Sequence, residues 1–310
     1  MIQPTAHKPV MLKEVLEALS PKEGGIYVDG TFGAGGYSRA ILDTAECTVI
    51  AIDRDQNVLA AADDLKKTYG DRFVFIRGAF GDVESLLQGA GFEKIDGFVL
   101  DIGVSSMQID QAGRGFSFRF DAPLDMRMDQ AQDLSAADIV NKTDEEGLAN
   151  LIYKYGEERK SRRIAHKIVE VRKDSPIETT GALADIVRSV IPKSPKDKSD
   201  PATKTFQALR IAVNDELGEL ERALESSKGI LSSGGRLVVV SFHSLEDRIV
   251  KEFLVEVSGS SAKGSRHLPE TIAAPAIFRL GNKRAVKPSE LETSENPRAR
   301  SARLRSGVRL

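Results

Sequence analysis

Short apolar runs alternate with stretches of helix-forming residues along the first third of the chain. The runs are rich in Val, Ile and Phe, which favour β-strands. This alternation predicts βαβ units, and therefore an α/β fold built on a parallel sheet. The predicted strands lie at 26–29, 48–52, 72–77 and 95–102.

A fifth strand is predicted only at 236–242, followed by a helix from about 244 to 257. The gap before this strand is far longer than the crossover helix that a βαβ unit needs. Its last part, roughly 202–231, has apolar residues at helical spacing and predicts one helix broken near Gly229. The last two strands are predicted at 276–280 and 299–304.

The rest of the gap, residues 105–200, predicts an inserted helical subdomain. A connector rich in Pro and Lys closes it at 191–198. Residues 1–104 and 201–310 would then form one domain around the sheet. Four helices are predicted inside the insert, at 136–140, 145–154, 159–173 and 182–190.

The 310-residue chain is long enough for a full α/β core and a smaller second unit. No apolar run is long enough to span a membrane, and the first 20 residues lack the apolar centre of a signal peptide. Cys47 is the single cysteine, which excludes an internal disulfide framework and thiolate metal clusters. These observations predict a cytoplasmic protein with no membrane partner and no metal site.

The net charge of −2 conceals an uneven distribution of charged residues. Residues 1–150 hold 14 Lys or Arg and 25 Asp or Glu, whereas residues 151–310 hold 30 and 21, so the two halves carry −11 and +9. A basic second half favours a polyanionic partner, although an ordinary solvated surface remains the alternative. A strongly basic helix is predicted at 159–173. Its candidates for binding an RNA backbone are Arg159, Arg162 and Arg163.

The first predicted strand runs into a turn with four glycines before the next helix begins. Glycines let backbone N–H groups approach a ligand closely, and the helix points its positive end at whatever lies in the turn. A dinucleotide site has the spacing G-x-G-x-x-G. Gly33 and Gly35 satisfy its first two positions, but Ser38 occupies the third. The turn therefore departs from the dinucleotide fingerprint.

Acidic residues end three of the predicted strands, and open α/β sheets bind ligands at those ends. Asp29 stands directly before the glycines, where it would repel a pyrophosphate but suit a cation such as the α-ammonium group of S-adenosylmethionine. Asp53 can accept hydrogen bonds from ribose hydroxyls, and Asp101 ends the fourth strand. Phe80 can stack on an adenine or fill the core. Either of the first two carboxylates alone could merely cap a loop, but together with the glycines they favour S-adenosylmethionine over NAD.

His243 and Ser244 follow the fifth predicted strand and therefore face the same end of the sheet. A histidine in this place fits a functional role and a structural one about equally well. The sequence contains no zinc-ligand spacing, Walker lysine or Ser-His-Asp arrangement.

Motifs that span nearly the whole chain point to one family. They are His7–Val10, Tyr27–Arg39, Ala51–Asp55, Leu100–Ser106, Gly113–Phe118, Pro123–Met128, Tyr155–Arg159, Pro201–Asn214, Ser241–Ile249 and Asn296–Arg300. Together they resemble the MraW family of bacterial small-subunit ribosomal RNA methyltransferases H. The resemblance implies a class I S-adenosylmethionine-dependent methyltransferase fold, which is a Rossmann-like, mostly parallel seven-stranded sheet, with an inserted helical subdomain for RNA recognition. It also implies N4-methylation of a cytidine in the decoding region, at the P site, of 16S rRNA.

The resemblance maps cofactor contacts onto individual positions. The family usually has histidine at position 37 and proline at position 107, whereas this chain has Tyr37 and Met107. Tyrosine still offers its backbone N–H, so we expect the affinity for S-adenosylmethionine to be tuned rather than lost. The implied cofactor-binding residues are Gly35, Gly36, Tyr37, Asp53, Phe80, Asp101 and Gln108.

Methylation of cytosine N4 benefits from an acceptor on the amino group, because the nitrogen lone pair is conjugated into the ring. Many amino-methyltransferases use an Asn/Asp-Pro-Pro-aromatic loop after the fourth strand, and this chain lacks one. We therefore expect Asp101 or the turn from Ser241 to His243 to accept from N4–H, with the target base extruded from its stack.

The implied partners are 16S rRNA and the small ribosomal subunit, and a homodimer is left open. Two other classes of function are also left open. Ser38 argues against the first, a NAD-dependent dehydrogenase on the same layout. The carboxylates at the strand ends disfavour the second, a non-catalytic rRNA-binding assembly factor.

Overall fold

Seven strands form one sheet in the part of the chain that the structure describes. They are β1 Ile26–Asp29, β2 Thr48–Asp53, β3 Phe73–Arg77, β4 Ile95–Asp101, β5 Leu231–Ser241, β6 Phe278–Leu280 and β7 Arg303–Arg309. Their order is β3-β2-β1-β4-β5-β7-β6. Strands β1 to β5 pair in parallel, and β7 is antiparallel to both of its neighbours. This arrangement confirms the predicted α/β, mostly parallel seven-stranded sheet.

The computed structural model describes residues 9–103, 108–109, 111–192, 199–259 and 275–310. Within these ranges none of the helices is both long and apolar enough to cross a membrane. The α-helices are α1 Leu12–Leu19, α2 Gly36–Thr44, α3 Leu59–Tyr69, α4 Val83–Gly89, α5 Ala136–Lys142, α6 Glu145–Gly156, α7 Ser161–Val171, α8 Thr180–Val190, α9 Thr203–Asn214, α10 Glu216–Ile230, α11 Ser244–Val257 and α12 Glu290–Glu295.

The chain divides into two compact units. The first contains the sheet and comprises the residues up to Gly103 together with Leu217–Leu310. The second unit lies between these two segments in the sequence and ends at Glu216. The sequence had indicated an earlier boundary, at residue 200. The difference is helix α9, which packs against α6 and contributes Phe206 and Leu209 to the core of the second unit.

The core of the first unit is centred on the inner strands of the sheet. Ile50, Ile52, Phe98, Leu100 and Val239 are each at most 1% exposed. Inner strands of a parallel sheet are covered on both faces, so they are apolar throughout. Each of β1, β2 and β4 ends in an aspartate. These strand ends therefore bring carboxyl groups to one edge of the sheet.

The second unit is built from α5 to α9 around its own apolar core. Helix α7 shows how the sequence divides its two faces: Ile164 and Ile168 are fully buried, whereas Arg162 and Arg163 are exposed. Phe206 of α9 packs edge-on against Phe118, with ring centroids 4.8 Å apart. The four helices predicted in this region are present with ends shifted by a few residues.

Two details of the second half of the chain differ from the sequence prediction. The expected long helix is interrupted at Asp215, which has a left-handed φ of 48°, and Gly229 lies inside α10. An ion pair braces this joint, because Arg210 Nε lies 2.8 Å from Glu216 Oε1. The last strand begins at Arg303 rather than at 299, because Pro297 and the capping Asn296 start a 3₁₀ turn over Pro297–Ser301.

Candidate active site

Three carboxyl groups meet at the carboxyl edge of the sheet in the first unit. Asp29 ends β1, Asp53 ends β2 and Asp101 ends β4, and these three strands are neighbours. Asp29 pairs in register with Ala51 on one side and with Val99 on the other, two residues before each of the other aspartates. The structure thus brings together the acidic residues that the sequence placed at separate strand ends.

Asp29 is fully buried and is held by one donor of the glycine turn and one of α2. Its Oδ2 accepts a hydrogen bond from Ser38 Oγ at 2.7 Å, and its Oδ1 accepts one from the Thr31 N–H at 3.2 Å. Burial raises the pKa of Asp29 to about 6, although these hydrogen bonds act in the opposite direction. The carboxyl that the sequence suggested for an ammonium group is therefore already occupied by the protein's own donors.

Asp101 carries a buried oxygen without a hydrogen-bond partner among the described residues, its Oδ1. Its backbone N–H donates to Thr31 Oγ1 at 2.7 Å, which fixes the end of β4 against the glycine turn. Burial, followed by the charges of Asp29 and Glu246, raises the pKa of Asp101 to about 8. At neutral pH this carboxyl is therefore mostly protonated while no cation is near it.

His243 caps the N-terminus of α11 through a reciprocal contact with Glu246, which is fully buried. Glu246 Oε2 accepts hydrogen bonds from the N–H groups of Phe242 at 2.8 Å and of His243 at 3.2 Å. The ring Nδ1 accepts from the Glu246 N–H at 3.5 Å. Its Nε2 lies 2.8 Å from Glu246 Oε1, but the two atoms do not meet at a hydrogen-bonding angle.

The contacts of His243 are with Glu246. A ring that accepts at Nδ1 carries its proton at Nε2, and this nitrogen lies beside Glu246 Oε1, with both atoms buried. His243 therefore serves the start of α11, whereas Asp101 Oδ1 has no partner among the described residues. This difference distinguishes two groups that the sequence left as alternatives for accepting from N4–H.

The glycine turn is tied to the end of β2 by Asp53. The Gly33 N–H donates to Asp53 Oδ2 at 2.8 Å, and the Asp55 N–H donates to Oδ1 at 2.9 Å. Gly33 and Gly35 have φ values of 52° and 78°, a left-handed conformation that favours glycine. Burial raises the pKa of Asp53. Each of its carboxylate oxygens keeps a second lone pair that a ligand hydroxyl can use.

Gly36 and Tyr37 open α2 and both pack against the segment that precedes α1. A Cβ at Gly36 would overlap the side chain of Pro9, so packing alone requires glycine there. The Tyr37 side chain is buried, and its hydroxyl donates to the carbonyl of Val10. Its backbone N–H is therefore the group of this residue that is left for a ligand.

Two further predicted cofactor contacts lie in different environments. Phe80 follows β3, is half-buried against the core and lies beside Gly30, where a Cβ would be 3.3 Å from the Phe80 Cβ. This place fits both the stacking role and the core role that the sequence allowed. Gln108 is 6% exposed and belongs to the second unit. Met107 lies outside the described residues.

The three predicted RNA contacts are all in the second unit. Arg159 precedes α7, and Arg162 and Arg163 lie in its first turn; all three are exposed. None of them forms an ion pair within the described residues. A groove of about 560 Å³ runs beside Arg162 and Arg163. It is lined by Arg162, Arg163, His166, Lys167, Ser189 and Val190.

Sequence reasoning missed three residues that hold the site together: Thr31, Ser38 and Glu246. Ser38 was noted only as a missing glycine, although its hydroxyl is the donor to Asp29. Glu246 stands three residues after His243, the spacing of a capping box, but a histidine cap is outside the usual Ser/Thr signature. Thr31 had no distinguishing local pattern.

This arrangement fits a positively charged ligand. A buried carboxyl with an unpartnered oxygen, beside two further buried acids, would repel a pyrophosphate and attract a cation. No group of three or more His, Cys, Asp or Glu in the described ranges is arranged to hold a metal ion. These carboxyl groups therefore fit an organic cation that also carries ribose hydroxyls, and S-adenosylmethionine is such a ligand.

The chain is similar to known proteins over nearly its whole length. The model of the MraW methylase family matches residues 4–309. The chain is 57% identical to the ribosomal RNA small subunit methyltransferase H of Rhodospirillum rubrum, over 97% of this chain and 94% of that protein. It is 56% identical to the protein of the same name from Paramagnetospirillum magneticum, over 99% and 97%. A solved structure titled as a putative rRNA-methylase from Clostridium thermocellum is 11% identical with a TM-score of 0.45, over 98% of this chain and 100% of that one.

Replacing Asp101 by asparagine should relieve a pH-dependent instability of the ligand-free protein. The folded-state pKa of about 8 lies above the ordinary 3.8, so folding takes up a proton and the free energy of unfolding falls as the pH rises between these values. Asparagine does not titrate. The Tm of Asp101→Asn relative to wild type should therefore increase by about 5 °C or more between about pH 5 and pH 9, measured by thermal denaturation.

Asp96, near the other end of β4, supplies the control. Burial raises its pKa, but hydrogen bonds from Lys22 and from the Ile26 N–H outweigh this effect and leave the pKa below its usual value. Asp96→Asn should therefore lower the Tm throughout the same pH range. A constant difference between Asp101→Asn and wild type would contradict the raised pKa of Asp101.

Proposed function

The chain belongs to the MraW methylase family, and from this premise we propose that it methylates N4 of a specific cytidine in the decoding region of 16S rRNA. It is an S-adenosylmethionine-dependent ribosomal RNA methyltransferase, in agreement with relatives at 52–57% identity that are named ribosomal RNA small subunit methyltransferase H. The base and the methylated atom are part of our proposal. The observation that supports it most directly is the unpartnered, buried Asp101 Oδ1 at the sheet edge.

The residues around the glycine turn would hold the cofactor. When bound, S-adenosylmethionine supplies a methyl group on a positively charged sulfonium. The backbone of Gly35, Gly36 and Tyr37 would line its site, and Asp53 would accept from the ribose hydroxyls. Asp29 would contribute negative charge through the turn that it anchors. Phe80, Asp101 and Gln108 complete the proposed set.

Asp101 is our candidate for the group that accepts from N4–H of the cytosine. A positive charge beside Asp101 would favour its ionised form. A carboxylate has two oxygens, so it can contact a cation and an amino group at the same time. Accepting a hydrogen bond from N4–H would help to localise the nitrogen lone pair, and the same oxygen could then take the released proton. Holding the amino group at a fixed distance and angle would supply most of the acceleration.

His243 would have a different task from the one that the sequence allowed. Its Nδ1 caps α11, and its buried Nε2 lies 2.8 Å from Glu246 Oε1, so the ring is turned toward Glu246. We therefore propose that His243 helps to orient the extruded base by fixing the start of α11, while Asp101 accepts the proton.

The second unit would contribute substrate affinity. Arg162 and Arg163 line a groove together with His166 and Lys167, and Arg159 is exposed just before α7. Phosphates of an RNA backbone fit such a surface, because neutralising them releases bound counterions. The rRNA substrate in turn implies a cytoplasmic location.

The two alternative functions have no specific support. Family membership removes the NAD-dependent dehydrogenase, and Ser38 in place of the third glycine is engaged with Asp29 rather than with a dinucleotide. A non-catalytic assembly factor would not need a buried carboxyl with an unpartnered oxygen at the ligand edge.

The proposed product can be identified directly. Wild-type protein, S-adenosylmethionine and 16S rRNA or small subunits should yield one N4-methylcytidine per rRNA, detected by nuclease digestion and mass spectrometry. The same nucleoside should disappear from the rRNA of a strain that lacks the protein. Methylation at carbon 5 or at N3 of cytosine would contradict the proposed N4 chemistry while leaving the family assignment intact.

The roles of Asp101 and His243 predict different kinetic defects. At saturating cofactor and RNA, Asp101→Asn should lower the single-turnover rate by about 100-fold or more, because a proton acceptor contributes on that scale. His243→Ala should raise the KM for RNA more than it lowers this rate. A rapid-quench assay with labelled methyl donor measures both. An unchanged single-turnover rate in Asp101→Asn would remove it as the acceptor.

A further inference from the structure

The C-terminal part of the first unit carries a concentration of basic residues that the proposed mechanism does not use. Residues 281–310 contain eight Lys or Arg and three Glu. Five of the cations are exposed and form no ion pair within the described residues: Lys283, Arg284, Lys287, Arg300 and Arg303. The last three lie beside the start of β7. We call these three residues the cationic edge.

Strand register places the cationic edge beside the candidate active site. Strand β7 runs antiparallel to β5, so its first residue, Arg303, pairs with Ser241, the last residue of β5. Ser241 Oγ also donates to the Arg303 carbonyl at 3.3 Å. Because His243 follows two residues after Ser241, Arg303 lies at the same edge of the sheet as the proposed base-orienting histidine.

The contacts of Arg305 show on which face of β7 Arg303 lies. Side chains two residues apart on a strand share a face. Arg305 forms a two-point ion pair with Asp247 of α11, with nitrogen–oxygen distances of 2.7 and 3.2 Å. Arg303 is therefore on the α11 side of the sheet, one step nearer to the N-terminus of that helix, but remains exposed.

The other two residues of the cationic edge are placed beside Arg303 by ordered backbone. Val286 and Leu304 form an antiparallel bridge with two hydrogen bonds of 2.9 Å, so Lys287 follows on the same side as Arg303. Arg300 stands on the 3₁₀ turn Pro297–Ser301, which is capped by Asn296. Side chains on fixed backbone lose less entropy on binding than side chains of a loose tail.

We propose that Lys287, Arg300 and Arg303 bind backbone phosphates of the substrate RNA immediately beside the methylated nucleotide. This inference rests on the proposed function, since it takes an RNA as the substrate. A nucleotide whose base enters the carboxyl edge must bring its flanking phosphates to the rim of that edge. The acids of the site repel those phosphates, and the cationic edge supplies the compensating attraction.

The test is the salt dependence of RNA binding by a triple variant, Lys287→Gln, Arg300→Gln and Arg303→Gln. Each lost contact with a single-stranded phosphate lowers the slope of log Kd against log salt by roughly 0.7. The triple variant should therefore lose roughly 2 from this slope, and its Kd should rise about tenfold or more at low salt. Fluorescence anisotropy with a labelled decoding-region RNA measures both quantities.

A matched control removes the same charge elsewhere on the first unit. Lys13→Gln, Lys251→Gln and Arg279→Gln alter exposed residues, and Arg279 pairs with Val308, toward the opposite edge of the sheet. This control should retain most of the wild-type slope. Both triple variants should keep the wild-type affinity for S-adenosylmethionine, and restoring Lys at position 303 in the first should recover part of the lost RNA affinity.

The outcomes separate this inference from the proposed function. If wild-type protein methylates the RNA but the two triple variants show equal slopes and equal Kd values, the inference is overturned and the proposed function stands. If wild-type protein neither binds nor methylates the RNA, both are overturned. A larger slope loss in the Lys287, Arg300 and Arg303 variant, with cofactor affinity unchanged, supports the inference.

Discussion

Burial of carboxyl groups close to one another is the constraint on which the site depends. Asp29, Asp101 and Glu246 lie together at the edge of the sheet, and Asp101 Oδ1 has no hydrogen-bond partner in the described part of the chain. An unpaired buried carboxylate is costly, so the group keeps its proton instead. The pKa values of about 6 for Asp29 and about 8 for Asp101 express this cost. A cation that enters the site stabilises the ionised carboxylate and so offsets this cost. The buried carboxyl groups therefore favour a cofactor that carries a sulfonium.

The order of the strands in the α/β sheet is enough to bring these carboxyl groups together. Parallel neighbours β2, β1 and β4 all end at one edge, so an aspartate at each strand end is enough to bring the carboxyls together. Thr31 and Ser38 then fix the glycine turn against them, and the cap between His243 and Glu246 fixes the start of α11. The antiparallel β7 adds the cationic edge beside the same rim.

Much of this could be predicted from the sequence, because it depends on local patterns. Apolar runs indicated the strands, and an acid after each run indicated the ligand edge. The partner of Ser38 could not be predicted, since it depends on how α2 packs on β1. The break at Asp215 was missed because apolar spacing continues through it from α9 into α10. The Tyr37 side chain, which differs from the family's usual histidine, is buried and donates to the Val10 carbonyl, a contact that no local pattern indicates.

Proton release on cofactor binding tests the central claim most directly. Isothermal titration calorimetry with S-adenosylmethionine at pH 7, in two buffers of different ionisation enthalpy, measures the number of protons exchanged. A carboxyl with a pKa of about 8 that becomes ionised beside the cofactor predicts release of close to one proton by the wild type and markedly less by Asp101→Asn. Binding heats that do not depend on the buffer would show that Asp101 keeps the same protonation state throughout, and would contradict the account.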